Sequence, residues 1–219
     1  MDRSSGVLSC DRLPCIAELR CRAQALAMLD AIVCPDWELR YYSYNAAWGS
    51  GAQMASQRNG QGDEWFLLLD SAGAAIKGLN HESPVARGDA FPEAIQRTVP
   101  ARFAAFLSED AFSMTEASFC YWRGTDDERW SKVDHPNPQL SGVDDGSAAA
   151  LALLVGTSAD YQQWAQDYFD VEVPTIAVDA IYARAPLDAA LVRSVMSNAE
   201  REQVTSDAQE IGYPIAVGY

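Results

Sequence analysis

Two histidines are the only side chains here whose ordinary pKa lies near neutrality, and the first, His81, stands in the run Asn80-His81-Glu82-Ser83. A histidine beside a carboxylate suits nucleophilic catalysis if a thiol folds within reach. Cys120 would attack, and His81, with Glu82 or Ser83, would draw off its proton. Such a chain would be a hydrolase or transferase. The local context argues otherwise: Cys120 lies inside Ser118-Phe119-Cys120-Tyr121-Trp122, and a thiol between aromatics on a strand is expected as an inert core residue. No serine sits in a G-x-S-x-G elbow. His81 then reads as a turn histidine whose ring bonds backbone groups.

Metal chemistry finds equally little support. His135, in Asp134-His135-Pro136, has no second ligand pair at helical or hairpin spacing. Cys10, Cys15, Cys21, Cys34 and Cys120 are odd in number and irregularly spaced, which suits neither a disulfide framework nor a zinc site. The pairs Asp126-Asp127 and Asp144-Asp145 lack the calcium-loop pattern and read as solvated turn carboxylates. No cofactor and no metal are expected.

The stretch from Met54 to Ser83 holds glycines at 60, 62, 73 and 78. A phosphate loop needs such glycines to end a strand and open a helix, whose first amides hold the anion. Here they separate extended runs, so hairpin turns explain them better.

The elements around these residues follow from periodicity. Ile16, Leu19, Ala23, Leu26, Leu29 and Val33 fall at helical spacing between Pro14 and Pro35, as one apolar stripe suited to a flat partner. A strand through Glu38 to Trp48 and three more β runs follow, Glu64 to Leu69 forming a central strand buried on both sides. Asp89 to Phe112 reads as a helix interrupted at Pro100, with Thr98 capping the second part. Ser118 to Val133 reads as a hairpin and Asp134 to Gly146 as a surface loop. The last seventy or so residues read as helical, with Tyr161, Trp164, Ala165 and Tyr168 on one face of core type. Thr175 to Pro186 admits either strand or helix and is read as helix. The whole is a single α+β domain, 1–219: an antiparallel β-meander packed against an N-terminal helix (1–141), then a helical acidic subregion (142–219).

The 219 residues are 48% hydrophobic with a formal charge of −15, enough apolar content for a sizeable core. Residues 1–110 carry 10 basic and 14 acidic side chains, and residues 111–219 carry 6 and 17. A field of that sign repels phosphate backbones and anionic lipid and attracts a basic protein. No apolar run in the first fifteen residues suggests a signal peptide, so a cytoplasmic protein is expected, with neither nucleic-acid nor membrane partners. Aromatic anchors ringed by charge describe protein-binding surfaces, and Trp122 to Trp130, with Asp126 and Asp127 between, is the densest such patch.

The runs "MASQRNGQGDEWFLLLDSAGAAIKGLNHES", "FCYWR", "DGS" and "EIGYP" together resemble a group of uncharacterised bacterial single-domain proteins, over Tyr41 to Pro214. That group is distantly similar to immunity proteins of the SUKH type. The resemblance implies an α+β domain that binds and neutralises a toxin, and it carries over no functional residue. The expected function is therefore an acidic binding protein, an immunity or inhibitor protein for a basic partner, with a hydrolase or transferase using His81 with Cys120 or a nearby carboxylate as the alternative.

Overall fold

The computed structural model describes residues 6–109 and 116–219. Helix α1 (Ile16–Val33) is followed by strands β1 (Tyr42–Gly49), β2 (Ala52–Arg58), β3 (Glu64–Asp70) and β4 (Gly73–Leu79). Helices α2 (Ala90–Thr98) and α3 (Ala104–Leu107) precede β5 (Phe119–Gly124) and β6 (Ser131–Lys132). Then come α4 (Ser147–Ala150), α5 (Ala152–Val155), α6 (Ser158–Phe169), α7 (Thr175–Tyr182), α8 (Ala189–Val195) and α9 (Arg201–Ile211). The six strands form one antiparallel sheet in sequential order, with helices at both ends of the chain: an α+β fold. Among the described residues no helix is long and apolar enough to cross a membrane.

Two compact units emerge from the contacts. The sheet unit contains the described residues up to Ile16 together with Ser56–Ala152, and the helical unit contains Ala17–Ala55 and Leu153–Tyr219.

In the sheet unit the glycines of the opening stretch turn hairpins. Asn59 begins the β2–β3 turn, where its Oδ1 accepts from the amides of Gln61 and Asp63, and Gly60 and Gly62 take positive φ of 71° and 105°. Asp70 opens the two-residue β3–β4 turn by accepting from the Ala72 and Gly73 amides. Gly73, at φ 137°, lies so close to β5 that an added Cβ would stand 2.1 Å from the Arg123 carbonyl oxygen. No L side chain fits there. Gly78 yields its side-chain space to the Phe119 ring, its direct partner across β4 and β5.

Alternation then sorts the side chains onto two faces. Trp65, Leu67, Ile76, Phe119 and Tyr121 share one face, where Trp65 Nε1 donates to the Ala150 carbonyl at 2.9 Å and the Tyr121 hydroxyl to that of Leu8 at 2.7 Å. Phe66, Lys77 and Cys120 form a row on the other, met by Phe106 and Leu107 of α3. Both faces are covered, so Trp65–Leu69 is buried without a break, as a central strand requires.

Two local expectations of this unit change. Thr98 ends α2, and the segment after it starts at Pro100 with no side-chain cap, because the proline ring already sets the chain direction. The end of that segment, past residue 109, lies outside the described residues. Asp145 is not solvated but 2% exposed. Its carboxylate accepts from the Ser147 amide and hydroxyl and meets Lys132 Nζ at 2.8 Å, which compensates its burial.

In the helical unit α1 does not show a single stripe. Ala23 to Val33 is buried continuously, polar Gln24 and Asp30 included. A helix apolar on all sides is a central element, and its polar residues persist because each is bonded. Gln24 Nε2 donates to the Ile211 carbonyl at 2.8 Å, at the end of α9, where Gly212 turns left-handed at φ 70°. Thr175 to Tyr182 is helical, following Pro174.

Candidate functional site

The chemistry-bearing residues of the sheet unit pair off separately. His81 lies just beyond β4, with Nδ1 2.7 Å from Asp63 Oδ1, and its backbone amide donates to the same oxygen at 2.9 Å. The imidazole therefore braces the β2–β3 turn. Glu82 is exposed, its amide bonded to Asn80 Oδ1, while Ser83 Oγ donates to the Asp144 carbonyl at 2.7 Å. Cys120 is fully buried opposite Lys77. Burial pushes its thiol up to about 12, against the opposing pull of the Lys77 ammonium. Lys77, 2% exposed, is brought down to about 8 by the same desolvation, and among the described residues it donates only a long 3.4 Å bond, to the Leu107 carbonyl. His81 stands four residues past Lys77, roughly 13 Å along an extended backbone from the residue paired with Cys120. The structure thus brings His81 to Asp63 and Cys120 to Lys77, and not His81 to Cys120.

The patch from Trp122 to Trp130 divides likewise. Trp130 is 5% exposed, and its Nε1 donates to the Pro14 carbonyl at 2.7 Å. Asp127 Oδ2 accepts from the Gly124 amide at 2.7 Å and meets Arg102 at 3.3 Å, shaping the hairpin connection. Trp122 is half-buried beside Ala75 and Ser131, and Asp126 is exposed. His135 stacks parallel to Phe91 with ring centres 5.8 Å apart, and its Nδ1 accepts from the Asn137 amide. Among the described residues no three or more His, Cys, Asp or Glu side chains converge as a metal site would require.

A surface not singled out from sequence emerges in the helical unit. Residues 36–39 form a 3₁₀ turn opened by Asp36, whose side chain accepts from the Glu38 amide at 3.1 Å. It lifts Trp37 and Leu39 into solvent at 55% and 64% exposure. Large apolar side chains so placed on a fixed turn mark an interaction surface more than a packing remainder.

The turn is held at both ends. On its far side Arg40 donates to the Cys34 and Pro35 carbonyls and pairs through two nitrogens with Asp207 of α9, at 3.0 and 2.8 Å, with both side chains nearly buried. Next in the chain, the Tyr41 and Tyr42 amides donate to fully buried Asp30 at 3.0 and 2.7 Å, and the Tyr161 hydroxyl reaches its other oxygen. Burial raises the Asp30 carboxyl to about 7 in spite of these bonds. Tyr41 also touches Trp164 and Tyr168 at 5.0 Å between ring centres, so the helix face expected to be core is core only at Tyr161 and Ala165 and ends in half-exposed Tyr168.

Electrostatics add a sign. The helical unit exposes twelve carboxylates, Asp36 and Glu38 among them, against two guanidiniums, Arg193 and Arg201. Its other four arginines are partly withdrawn from solvent: Arg20 bonds the Tyr44 hydroxyl, Arg22 the Gly156 carbonyl and the Tyr182 ring, Arg40 pairs with Asp207, and Arg184 bonds Gln24 and the Gly212 carbonyl. The sequence offered one signal for this surface, an acid-alternating Asp36-Trp37-Glu38-Leu39 just after a helix-stopping proline.

No family model, curated protein or solved structure matches this chain.

Proposed function

We propose that the protein is an acidic binding protein that captures a basic protein partner, in the manner of an immunity or inhibitor protein. The observation that carries this reading is the pinned turn of the helical unit, which presents Trp37 and Leu39 within a surface of exposed carboxylates. The apolar pair supplies desolvatable anchor area, and the surrounding charge steers a cationic partner and selects against anionic ones. Anchoring by Arg40 and Asp30 keeps the turn ordered before binding, which lowers the entropy lost on association.

The test is co-purification of the products of neighbouring genes with the tagged chain at low and at high salt. A basic protein should be retained at low ionic strength and released as the screening length falls below about 10 Å. Recovery of no basic protein at low salt, or recovery indifferent to salt, overturns the proposal.

A further inference from the structure

Beside the 36–39 turn the helical unit holds a groove of about 130 Å³ between the end of α1 and the start of α9. Ile32, Val33, Pro35, Met196 and Val204 supply an apolar floor. Its only ionisable lining residue is Glu200, the N-cap of α9, which makes no side-chain capping bond and is exposed. Gln203, one helical turn on and on the same side of α9, lines the groove too. Its Nε2 is committed to Asp207, at 3.3 and 3.2 Å from the two carboxylate oxygens. A carboxylate only accepts, so the amide is oriented with Oε1 left as an acceptor. Asp207 is itself fixed by Arg40.

The groove therefore pairs an apolar floor with acceptors and one negative charge at its rim. Few groups match both. A carboxylate would meet Glu200, and an aliphatic side chain would leave the rim acceptors unpaired. The positive end of α9 lies here as well, and Glu200 at the N-cap offsets it. We infer that the groove receives an arginine side chain of the basic partner, its methylenes on Ile32, Val33 and Pro35 and its guanidinium bridging Glu200 and Gln203 Oε1. The inference rests on the proposed capture of a basic protein and places one anchor of that complex next to Trp37.

The probe is butylguanidinium, titrated into the ¹⁵N-labelled full chain, with butanol and butyrate as neutral and anionic counterparts. Butylguanidinium should shift the amides of Ile32, Val33 and Val204 saturably and bind more tightly than butanol. Glu200→Gln should weaken it about threefold while leaving butanol unchanged. Ala199→Phe, which fills the groove from a half-buried position, should abolish both. Equal binding of butanol, stronger binding of butyrate, or no shift at these amides each overturns the inference. These outcomes separate from failure of the functional reading. Salt-sensitive capture that persists when the groove ignores guanidinium leaves that reading standing. Guanidinium binding in a chain that captures no basic protein refutes that reading alone.

Discussion

The two units carry almost the same formal charge, −7 for the residues of the sheet unit and −8 for those of the helical unit, yet they present very different surfaces. Among the described residues the sheet unit exposes eleven carboxylates and six guanidiniums, an acidic but mixed surface. The helical unit exposes twelve and two, because Arg20, Arg22, Arg40 and Arg184 lie half-buried against neighbouring carbonyls, side chains and rings. Net charge thus says little about the field a partner meets. What matters is which charges folding removes from the surface, and in the helical unit it removes cations.

The largest perturbation of that arrangement is Asp207→Ala, which leaves Arg40 nearly buried without its counter-ion. We expect a loss of ~4 kcal/mol in urea unfolding followed by circular dichroism. A loss below ~1 kcal/mol would show that Arg40 escapes to solvent and that the inward turn of the cations is not structural. In the sheet unit the matching test is Gly73→Ala, where positive φ and the Arg123 carbonyl both oppose a Cβ, for a cost of ~3 kcal/mol by the same measurement.

Asp30 gives the helical unit a pH signature. Its folded pKa of about 7 lies above the unfolded carboxyl value, so the folded state holds the proton more tightly. The resulting stability is full below the unfolded pKa near ~4 and is lost as pH rises to about 7, on the order of 4 kcal/mol in all. Asp30→Asn should flatten urea stability over that interval; an unchanged slope would assign the titration to another group.

Thiol labelling sharpens the contrast within the sheet unit. Cys120 should react only as the protein unfolds, at the same rate in His81→Ala, whereas exposed Cys15 reacts at once. A fast Cys120 reaction that slows in His81→Ala would restore the catalytic pairing. Smallest in stability is the double variant Trp37→Ala with Leu39→Ala, expected within ~0.5 kcal/mol of the parent but weakening partner capture at least about tenfold. Asp126→Ala in the sheet unit should leave capture unchanged, and the reverse result would move the binding surface to the other unit.

Much of the fold was legible in the residues. Gly60, Gly62 and Gly73 announced their turns because positive φ excludes most side chains, and Pro35, Gly212 and Pro214 announced helix ends. Asp145 and Trp130 were misplaced for one shared reason: each is polar or amphipathic, and its burial depends on distant partners, Lys132 and Ser147 for one, Pro14 for the other. The α1 stripe failed similarly, since Gln24 and Asp30 look like solvent positions until Ile211, Tyr41 and Tyr42 supply their bonds. Trp37 and Leu39 were passed over because the run from Glu38 read as the start of a strand, and the alternation of acids with apolar residues does not by itself say which side chains the fold will cover.

By itself the sequence determined the α+β class, the strand order of the meander and the sign of the charge, since backbone conformation and formal charge are set by neighbouring residue types. Only the tertiary structure decided that His81 serves Asp63, that Cys120 faces Lys77, and that Arg22, Arg40 and Arg184 of the helical unit turn inward while Trp37 and Leu39 stay out. Those outcomes depend on which groups far apart in the chain are brought together to desolvate one another, and no local pattern encodes that.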